Sequence, residues 1–432
     1  MLRARLRVLA GARIAPAPAV SPEAKIQAAV AAEAGPSPWE PIDVVVSLNE
    51  INDRHGTGPL VKRVCATRHP VFSIRSRDDW GVHDFGRWNA RISQQGCSRS
   101  ECFLNVLSVL GGRKVRNVLC VPFLLDEILT SIAIKEAFDA RLCVWVMDDQ
   151  NVAATVVPDA AVRELLEKSS LRLATHPELR LAYERKYGLP FYILPAVVPE
   201  RLVSSELAAP ACVPGLRTGA LLGSFWDQAW FDRLCSILAR LDWRIDWYGN
   251  NQSPWFKFPP EMLARAGITA FGVVPEEQLA VELRRYPFVI VPVGALDGKE
   301  SNTGVASLSL PGRILFSAAT SHTPVLVVGS ENTCGARFVK HFGIGETVPY
   351  EADAVGAAME RLSTPESQRR MRTNAAAIAQ SFSDRGVPEW LEASIESGRP
   401  ADKRFEDAFS GYDCGRDARL ADGEREPVSR GI

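Results

Sequence analysis

The chain has 432 residues, a length that predicts two or three domains rather than one. Its composition, with 46% hydrophobic and 23% charged residues, is that of a globular protein and excludes a largely disordered chain. A net charge of −1 excludes a general attraction to nucleic acid or membrane, and no apolar run approaches the ~20 residues that span a bilayer.

The cysteines are odd in number and scattered, which predicts reduced residues in a cytosolic protein. Cys97 and Cys102 have no second paired motif nearby, so a zinc site is not favoured there. Residues 1–40 are rich in Ala and Pro and lack the apolar core of a secretory signal, which predicts a flexible tail. The nine cysteines are Cys65, Cys97, Cys102, Cys120, Cys143, Cys212, Cys235, Cys334 and Cys414.

The first predicted strand leads into a glycine turn at residues 55–58 (HGTG), and Pro59 suits the first position of a helix. Two glycines let the backbone approach a ligand closely, but the turn has neither GxGxxG spacing nor a Walker loop. An ordinary strand-to-helix turn explains the pattern as well as a ligand-binding loop does. Residues 78–100 are polar and irregular, and they are either an acceptor-side loop or a surface insertion.

Strands and helices then alternate, which predicts a parallel, doubly wound sheet. Asp148 and Asp149 follow the carboxyl end of one strand, where ligands bind in such sheets. They are either site residues or residues that cap and turn the chain. The predicted strands of this half are Ile42–Leu48, Val71–Ile74, Asn117–Val121, Leu142–Met147, Leu171–Ala174 and Phe191–Leu194.

Residues 195–216 are rich in Pro and Ala without a clean period, which indicates a linker between two domains. The same alternation of strands and helices follows it, and a short helical pattern lies at Trp390–Ile395. Residues 397–432 are charged, with little to bury, which predicts disorder. The strands predicted after the linker are Ala220–Leu222, Ile245–Tyr248, Ile268–Phe271, Phe288–Val293, Pro324–Val328 and Glu346–Pro349.

The stretch from Phe288 to Gly329 carries the strongest functional pattern. A buried strand, a polar glycine-containing loop, a helical segment and a second strand predict a βαβ unit. Residues 299–302 (KESN) are therefore expected at a strand mouth. Arg313 is expected near a helix start, where backbone N–H groups and the helix dipole favour an anion.

The second half resembles the nucleotide-sugar-binding domain of retaining glycosyltransferases with the GT-B fold (glycosyltransferase family 4-like, glycosyl transferases group 1). The residues that carry the resemblance are GALLGSFWDQAWFDRL, DWYGN, ITAFGVVPEEQLAVEL, the stretch from Phe288, and TPVLVVGSENTCGARFVKHFGIGETVPY. The first half is similar in its glycine loop, in CVWVMDD and in SSLRLATHPELRLAYERKYGLPFYILPAVV. The resemblance extends from about Ile42 to Ile395.

The resemblance implies an α/β fold of two Rossmann-like, doubly wound parallel-sheet domains that face a cleft. The acceptor domain is expected at 41–205, the nucleotide-sugar domain at 206–382, and a return helix crossing back to the first domain at 383–396.

By the same resemblance, the donor diphosphate sugar lies in the cleft. Glu300 matches the first acidic residue of the family's paired-Glu motif, which grips sugar hydroxyls, and Arg313 neutralises diphosphate charge. With His55 they form the expected catalytic set, Asp148 and Asp149 lie on the acceptor side, and no metal ligand is expected. The expected donor-binding residues are Gly56, Thr57, Gly58, Gly223, Ser224, Gly249, Asn250, Val274, Lys299, Ser301, Asn302 and Thr303.

The chain departs from the family pattern at two places. No basic residue follows the glycine turn at Gly223 until Arg233, whereas family members often carry an Arg or Lys pair there. Ser317 stands where the second Glu of the paired motif is often found. These departures leave Arg313 and Lys299 as the candidate diphosphate cations.

The resemblance therefore implies a retaining, metal-independent glycosyltransferase of the hexosyltransferase type, and the cysteines predict a cytoplasmic location. It would use a nucleotide diphosphate sugar as donor substrate and no cofactor. The expected acceptor is a glycan, a lipid or a small molecule; nucleic acid is not expected as a partner, and peripheral membrane contact is compatible with the sequence. The alternatives are a non-catalytic protein of the same fold that binds nucleotide or glycan, and a nucleotide-sugar epimerase.

Overall fold

The computed structural model describes two α/β lobes, each built on a central sheet. The residues that it describes are 26–29, 40–54, 56–66, 69–154, 156–204, 206–207, 217–225, 227–250, 257–300 and 303–414.

The sheet of the first lobe has the strand order β1-β4-β3-β2-β5-β6-β7-β8. All neighbouring strands run parallel except β1, which pairs antiparallel with β4 at the edge. The strands are β1 (Ile26–Ala29), β2 (Ile42–Ser47), β3 (Val71–Arg75), β4 (Trp88–Ile92), β5 (Val115–Cys120), β6 (Arg141–Val146), β7 (Leu171–Ala174) and β8 (Tyr192–Ile193). The helices are α1 (Thr57–Val64), α2 (Arg99–Leu110), α3 (Leu125–Phe138), α4 (Asp159–Lys168) and α5 (Pro177–Tyr187).

The sheet of the second lobe is parallel throughout, in the order β11-β10-β9-β12-β13-β14. Its strands are β9 (Thr218–Leu222), β10 (Arg244–Tyr248), β11 (Ile268–Gly272), β12 (Val289–Pro292), β13 (Val325–Val328) and β14 (Gly345–Val348). Its helices are α6 (Gln228–Leu238), α7 (Pro260–Arg265), α8 (Glu276–Leu283), α9 (Thr303–Leu308), α10 (Gly312–Thr320), α11 (Cys334–Phe342), α12 (Ala352–Leu362) and α13 (Pro365–Ala379).

The central strands of both sheets are buried along their whole length. All six residues of β2 and all four residues of β12 and of β13 are buried. Helices cover both faces of a parallel sheet, so its inner strands are nearly continuous apolar runs. The two-domain prediction of parallel, doubly wound sheets is confirmed by this architecture.

The chain crosses between the lobes twice, and the two crossings pair with each other. Val198 and Ser383 form an isolated parallel bridge, and the N–H of Val198 donates to the carbonyl oxygen of Phe382 at 2.8 Å. After the second crossing, α14 (Val387–Ser397) packs against α1 and β6 of the first lobe. Arg116 of β5 forms ion pairs there with Glu392 of α14 and with Asp43. Helix α14 thus belongs to the surface of the first lobe.

The two predicted tails contain ordered structure, so those predictions are wrong in part. Strand β1 lies within the segment predicted to be a flexible tail, where it extends the first sheet. The helix α15 (Arg404–Ala408) lies within the segment predicted to be disordered. Phe405 and Phe409 are 2% and 6% exposed, since they pack on the aromatic side chains of α11 and α14. These two apolar residues and the ion pair of Glu406 with Arg180 anchor the segment.

The described helices include none with the combination of length and hydropathy that a membrane span requires.

Candidate functional site

The carboxyl ends of the two sheets face each other. Asp148 follows β6 of the first lobe, and its Oδ1 accepts a hydrogen bond of 3.2 Å from Ser309 Oγ of the second lobe. Nearby, a Cβ at Gly304 of α9 would lie 2.4 Å from the Cβ of Ala153. At the far side, Arg63 of α1 forms an ion pair with Glu276 at the start of α8. A cleft between the lobes is therefore bounded by the strand ends where ligands bind in such sheets.

Arg313 lies at the glycine turn that follows β9. Its Nη1 donates hydrogen bonds to the carbonyl oxygens of Leu222 at 2.6 Å and Ser224 at 3.0 Å. Gly223 has φ +86°, and a Cβ there would lie 2.9 Å from the same nitrogen. Only glycine combines this backbone conformation with so close an approach of the guanidinium.

The guanidinium of Arg313 forms no ion pair with a carboxylate in the described part of the chain. Burial lowers its pKa to about 10, because the charged form has lost water without gaining a fixed counter-ion. Two backbone carbonyls use part of its donor capacity, and a guanidinium carries five N–H donors. The arrangement is suited to an anionic ligand such as a phosphate group.

Glu300 closes the loop that follows β12. Its Oε1 accepts a hydrogen bond of 2.5 Å from the N–H of Leu296, whereas its Oε2 is buried and has no hydrogen-bond partner among the described atoms. Leu296 has φ +56°, a conformation that costs a branched residue free energy and that the carboxylate helps to hold. Farther along, Asp297 pairs with Arg233 at 3.0 Å, and Lys299 is exposed. One oxygen of Glu300 is thus fixed by the backbone of its loop, and the other is available to accept a hydrogen bond from a ligand.

Tyr350 follows β14 and lies within the influence of the charges of both Arg313 and Glu300. Its hydroxyl donates to the carbonyl oxygen of Val293 at 2.8 Å, and the guanidinium of Arg233 lies 6.0 Å from its ring centroid. Burial raises the pKa of Tyr350, while the charges of Arg233, Arg313 and Glu300 also act on it. Because the charges of Arg313 and Glu300 both act on the pKa of Tyr350, the two side chains belong to one electrostatic environment.

The wall contributed by the first lobe is built around the turn after β2. A Cβ at Gly58 would lie 1.9 Å from the carbonyl oxygen of Asn52, so glycine lets α1 pack on this turn. Glu50 is buried and accepts hydrogen bonds from the N–H groups of Asp79, Trp80 and Gly81 at 2.9, 3.0 and 3.0 Å. The residues that precede β4 are therefore fixed at the carboxyl edge of the first sheet, beside the glycine turn.

Asp149 has a structural role. Its carboxylate is 1% exposed and accepts hydrogen bonds from the N–H groups of the four residues 151–154, at 2.7 to 3.0 Å. Four donors satisfy both oxygens, so the side chain shapes this loop. Asp148, in contrast, points across the cleft to Ser309.

Comparison with known proteins identifies the fold of the chain and no family. No family model matches the chain, and no curated protein matches its sequence. WaaG, a glycosyltransferase involved in lipopolysaccharide biosynthesis, has a similar structure, with a TM-score of 0.54 and 13% identity over 82% of this chain and 99% of WaaG. The UDP-GlcNAc 2-epimerase from Methanocaldococcus jannaschii gives 0.51 and 9% over 82% and 99%, and S. aureus MnaA with UDP gives 0.50 and 10% over 83% and 96%. The chain has the GT-B fold.

In this GT-B fold the predicted residues of the second lobe follow the carboxyl ends of adjacent strands. Gly223 and Ser224 follow β9, Gly249 and Asn250 follow β10, and Val274 follows β11. Gly249 is drawn against the turn after β9, since a Cβ there would lie 2.2 Å from the carbonyl oxygen of Gly223. Lys299 and Glu300 follow β12, while Thr303 begins α9.

The described residues predicted in the first lobe follow the carboxyl ends of β2 and β6. Gly56 precedes α1, and Thr57 and Gly58 are its first two residues. His55, Ser301 and Asn302 lie outside the described residues, and so does the side chain of Thr303. Their predicted roles stay predictions.

Sequence reasoning missed Tyr350 and the ion pair of Arg63 with Glu276. Tyr350 follows the last strand of the second sheet, so the rule that placed Glu300 at a strand mouth also applied to it. The ion pair depends on how the two lobes are oriented, and no pattern within either lobe contains that information.

Proposed function

We propose that the chain is a glycosyltransferase that transfers a sugar from a nucleotide diphosphate sugar to an acceptor, with retention at the anomeric carbon. One observation supports this most: in a GT-B cleft, the guanidinium of Arg313 has no carboxylate partner among the described residues, and a buried oxygen of Glu300 has no donor among them. A diphosphate sugar has complementary groups for both, since it presents phosphate oxygens and hydroxyl donors.

In this proposal the diphosphate binds at the Gly223 turn, against Arg313. Negative charge grows on the leaving diphosphate oxygen as the glycosidic bond breaks, so a fixed guanidinium stabilises the transition state more than the ground state. The cation is already oriented by the carbonyl oxygens of Leu222 and Ser224, which reduces the reorganisation required during the reaction. Arg313 would thereby replace the basic pair that is absent after Gly223.

The sugar would lie at Glu300, whose Oε2 accepts a hydrogen bond from a sugar hydroxyl. The base would lie near Val274, at the outer end of the cleft. The acceptor would approach from the first lobe, past the region of Asp148 and the loop fixed by Glu50. A glycan, a lipid or a small molecule remains the proposed acceptor class.

Independence from a metal, a hexosyl donor and a cytoplasmic location are further parts of the proposal. Metal independence and the hexosyl donor rest on the family resemblance. The cytoplasmic location rests on the cysteines, because none of the eight described cysteines is in a disulfide.

An epimerase is the second candidate, since one of the similar structures is a UDP-GlcNAc 2-epimerase. The two candidates differ in their need for an acceptor. A transferase releases free nucleotide and forms a glycoside only when an acceptor is present, whereas an epimerase changes the donor sugar alone.

The decisive experiment first measures thermal stabilisation by UDP-, GDP- and ADP-sugars. The stabilising donor is then incubated with and without an acceptor extract, in the presence and in the absence of EDTA. We expect nucleotide release and an α- or β-glycoside of unchanged anomeric configuration by NMR. Epimerised donor without acceptor would favour the second candidate. Absence of stabilisation by all three donors, with no effect of Arg313→Ala, would contradict both.

A further inference from the structure

A cluster of three buried side chains lies at the seam between the lobes, apart from the proposed donor site. His176 and Glu178 come from the start of α5, and Cys334 is the first residue of α11. All three are buried, and one ligand atom from each lies within 4.8 Å of the others. Imidazole nitrogen, carboxylate oxygen and thiolate sulfur together form a donor set that zinc accepts.

The imidazole of His176 is oriented with a free lone pair toward this cluster. Thr175 Oγ1 donates its one hydrogen to the carbonyl oxygen of Met147 at 3.1 Å, so it accepts from Nδ1–H of His176 at 2.9 Å. Nε2 therefore carries the lone pair in the neutral ring, and it has no hydrogen-bond donor among the described atoms. The backbone carbonyl of Leu308 lies beside the ring as an acceptor, and it acts to raise the pKa of His176 against the lowering caused by burial. A ligating histidine in a zinc site is fixed in the same way, through its other nitrogen.

Glu178 is also held by one oxygen and presents the other. Its Oε1 accepts hydrogen bonds from Arg337 Nε at 3.2 Å and from the Tyr412 hydroxyl at 2.5 Å. Its Oε2 is buried without a partner among the described residues. His176 Nε2 and Glu178 Oε2 are thus two buried acceptors beside the Cys334 thiol, and neither has a hydrogen-bond partner in the described part of the chain. Burial of such groups is costly.

We propose that His176, Glu178 and Cys334 bind one Zn²⁺ ion that joins the two lobes. Binding converts the Cys334 thiol to a thiolate and releases one proton to solvent, while the Sγ–Zn bond forms. The thiol now donates to the carbonyl oxygen of Ser307 at 2.9 Å, and this hydrogen bond is lost. A water molecule is expected as the fourth ligand.

The charges around the site decide how favourable the binding of Zn²⁺ is. Arg337 and the amino-terminal ends of α5 and α11 oppose a cation. The carboxylate and the new thiolate contribute two negative charges against the two positive charges of the ion. Arg337 Nη2 lies 3.4 Å from Cys334 Sγ, where it stabilises the thiolate. Ligand atoms around zinc are about 3.3–3.8 Å apart, so the side chains must approach one another by up to about 1 Å.

The test uses the full-length protein after treatment with a chelator, and it titrates Co²⁺ and then Zn²⁺. We expect one Co²⁺ per chain, with thiolate-to-metal charge-transfer absorption, displacement by Zn²⁺ and a higher Tm. Cys334→Ser and His176→Gln should lose the absorption and the Tm shift. Cys235→Ser is the matched control, because Cys235 is a buried cysteine of the same lobe on α6.

A second measurement needs no variant. Zn²⁺ should slow the alkylation of Cys334 in the wild-type protein at least tenfold more than that of Cys235, as read by peptide mass spectrometry. Binding of less than one metal equivalent, equal binding by Cys334→Ser and Cys235→Ser, or unprotected Cys334 would each overturn the proposal. The two buried acceptors would then share a proton or a water molecule instead. Nucleotide binding is measured separately, so failure here leaves the proposed transferase function untouched.

Discussion

Arg313 donates a hydrogen bond of 2.6 Å to the carbonyl oxygen of Leu222, a residue 91 positions earlier in the chain. This contact brings the start of α10 against the turn after β9. It fixes the cation at the point where two neighbouring strands end, so the orientation of the guanidinium is determined by backbone atoms rather than by a carboxylate.

We expect Arg313→Gln to weaken binding of the nucleoside diphosphate by about 10- to 100-fold, because a charged hydrogen-bond donor contributes about 1.5–3 kcal/mol. Glutamine retains an N–H group for the backbone carbonyls while removing the charge, so the fold should be preserved. Isothermal titration calorimetry with UDP, GDP and ADP measures the change.

Lys299→Gln is the matched control for Arg313→Gln, since Lys299 is the other candidate cation and is exposed. An exposed ammonium is screened by water and salt, so we expect less than a threefold change. An equal loss in both variants would contradict the assignment of Arg313 as the main diphosphate ligand.

Gly223→Ala should impair both stability and nucleotide binding. A residue with a Cβ in this left-handed conformation loses about 1–2 kcal/mol, and the Cβ would also lie 2.9 Å from Arg313 Nη1. The guanidinium must then move away from the turn. Urea unfolding reports the stability, and calorimetry reports the binding.

Gly188→Ala separates the two effects of Gly223→Ala. Gly188 ends α5 with φ +70°, and a Cβ there has no atom within 4 Å. Its substitution should lower the free energy of unfolding by a similar amount and leave nucleotide binding unchanged. Should Gly223→Ala bind nucleotide as tightly as Gly188→Ala does, the turn would have no role in the site.

The sequence was sufficient to predict the two parallel sheets, since their inner strands are apolar runs. The strand predicted at Ile42–Leu48 is observed at Ile42–Ser47, and the one predicted at Leu142–Met147 at Arg141–Val146. Strand β4 was missed, because it follows a polar loop near the sheet edge and its burial alternates. A period of two within a polar segment is a weaker signal than a continuous apolar run.

The site was predictable only within a lobe. The position of Glu300 and Arg313 followed from a single βαβ unit, whose geometry is local. The approach of His176 to Cys334, in contrast, requires the relative orientation of two lobes whose residues are far apart in sequence. A contact between residues of two different lobes produces no periodic pattern in the sequence, so the sequence did not predict it.

Glu300→Gln should reduce kcat/KM by about 10- to 100-fold and leave the affinity for the nucleoside diphosphate alone unchanged. The free Oε2 is proposed to accept from the sugar, so only sugar-containing ligands sense the change. Glu331→Gln is the control, because Glu331 is an exposed glutamate in the loop before α11. Equal weakening of nucleotide and nucleotide-sugar binding by Glu300→Gln would place the carboxylate's role in loop structure instead.

Glu127 should make the stability of the protein depend on pH between about 4.5 and 7. Burial raises the pKa of this carboxyl from 4.5 to about 7, so the folded state binds a proton that the unfolded state has already released. The free energy of unfolding therefore falls as the pH rises through this window, by at most about 3 kcal/mol from the shift. The protonated group fits its surroundings: one oxygen accepts from the N–H of Leu124 at 2.7 Å, and the other contacts Ser76 Oγ, which also lies 3.2 Å from the carbonyl oxygen of Leu48.

Glu127→Gln mimics the protonated carboxyl, and its amide donates to Ser76 while Ser76 donates to Leu48. We expect the variant to match the wild type near pH 5 and to be more stable than it near pH 8, as measured by urea unfolding across this range. Glu101→Gln is the control, since Glu101 accepts from the N–H of Ser98, the residue before α2, as Glu127 does from Leu124, but is exposed. A parallel pH profile for the wild type and Glu127→Gln would show that Glu127 is ionised in the folded protein, and that water or a cation reaches it.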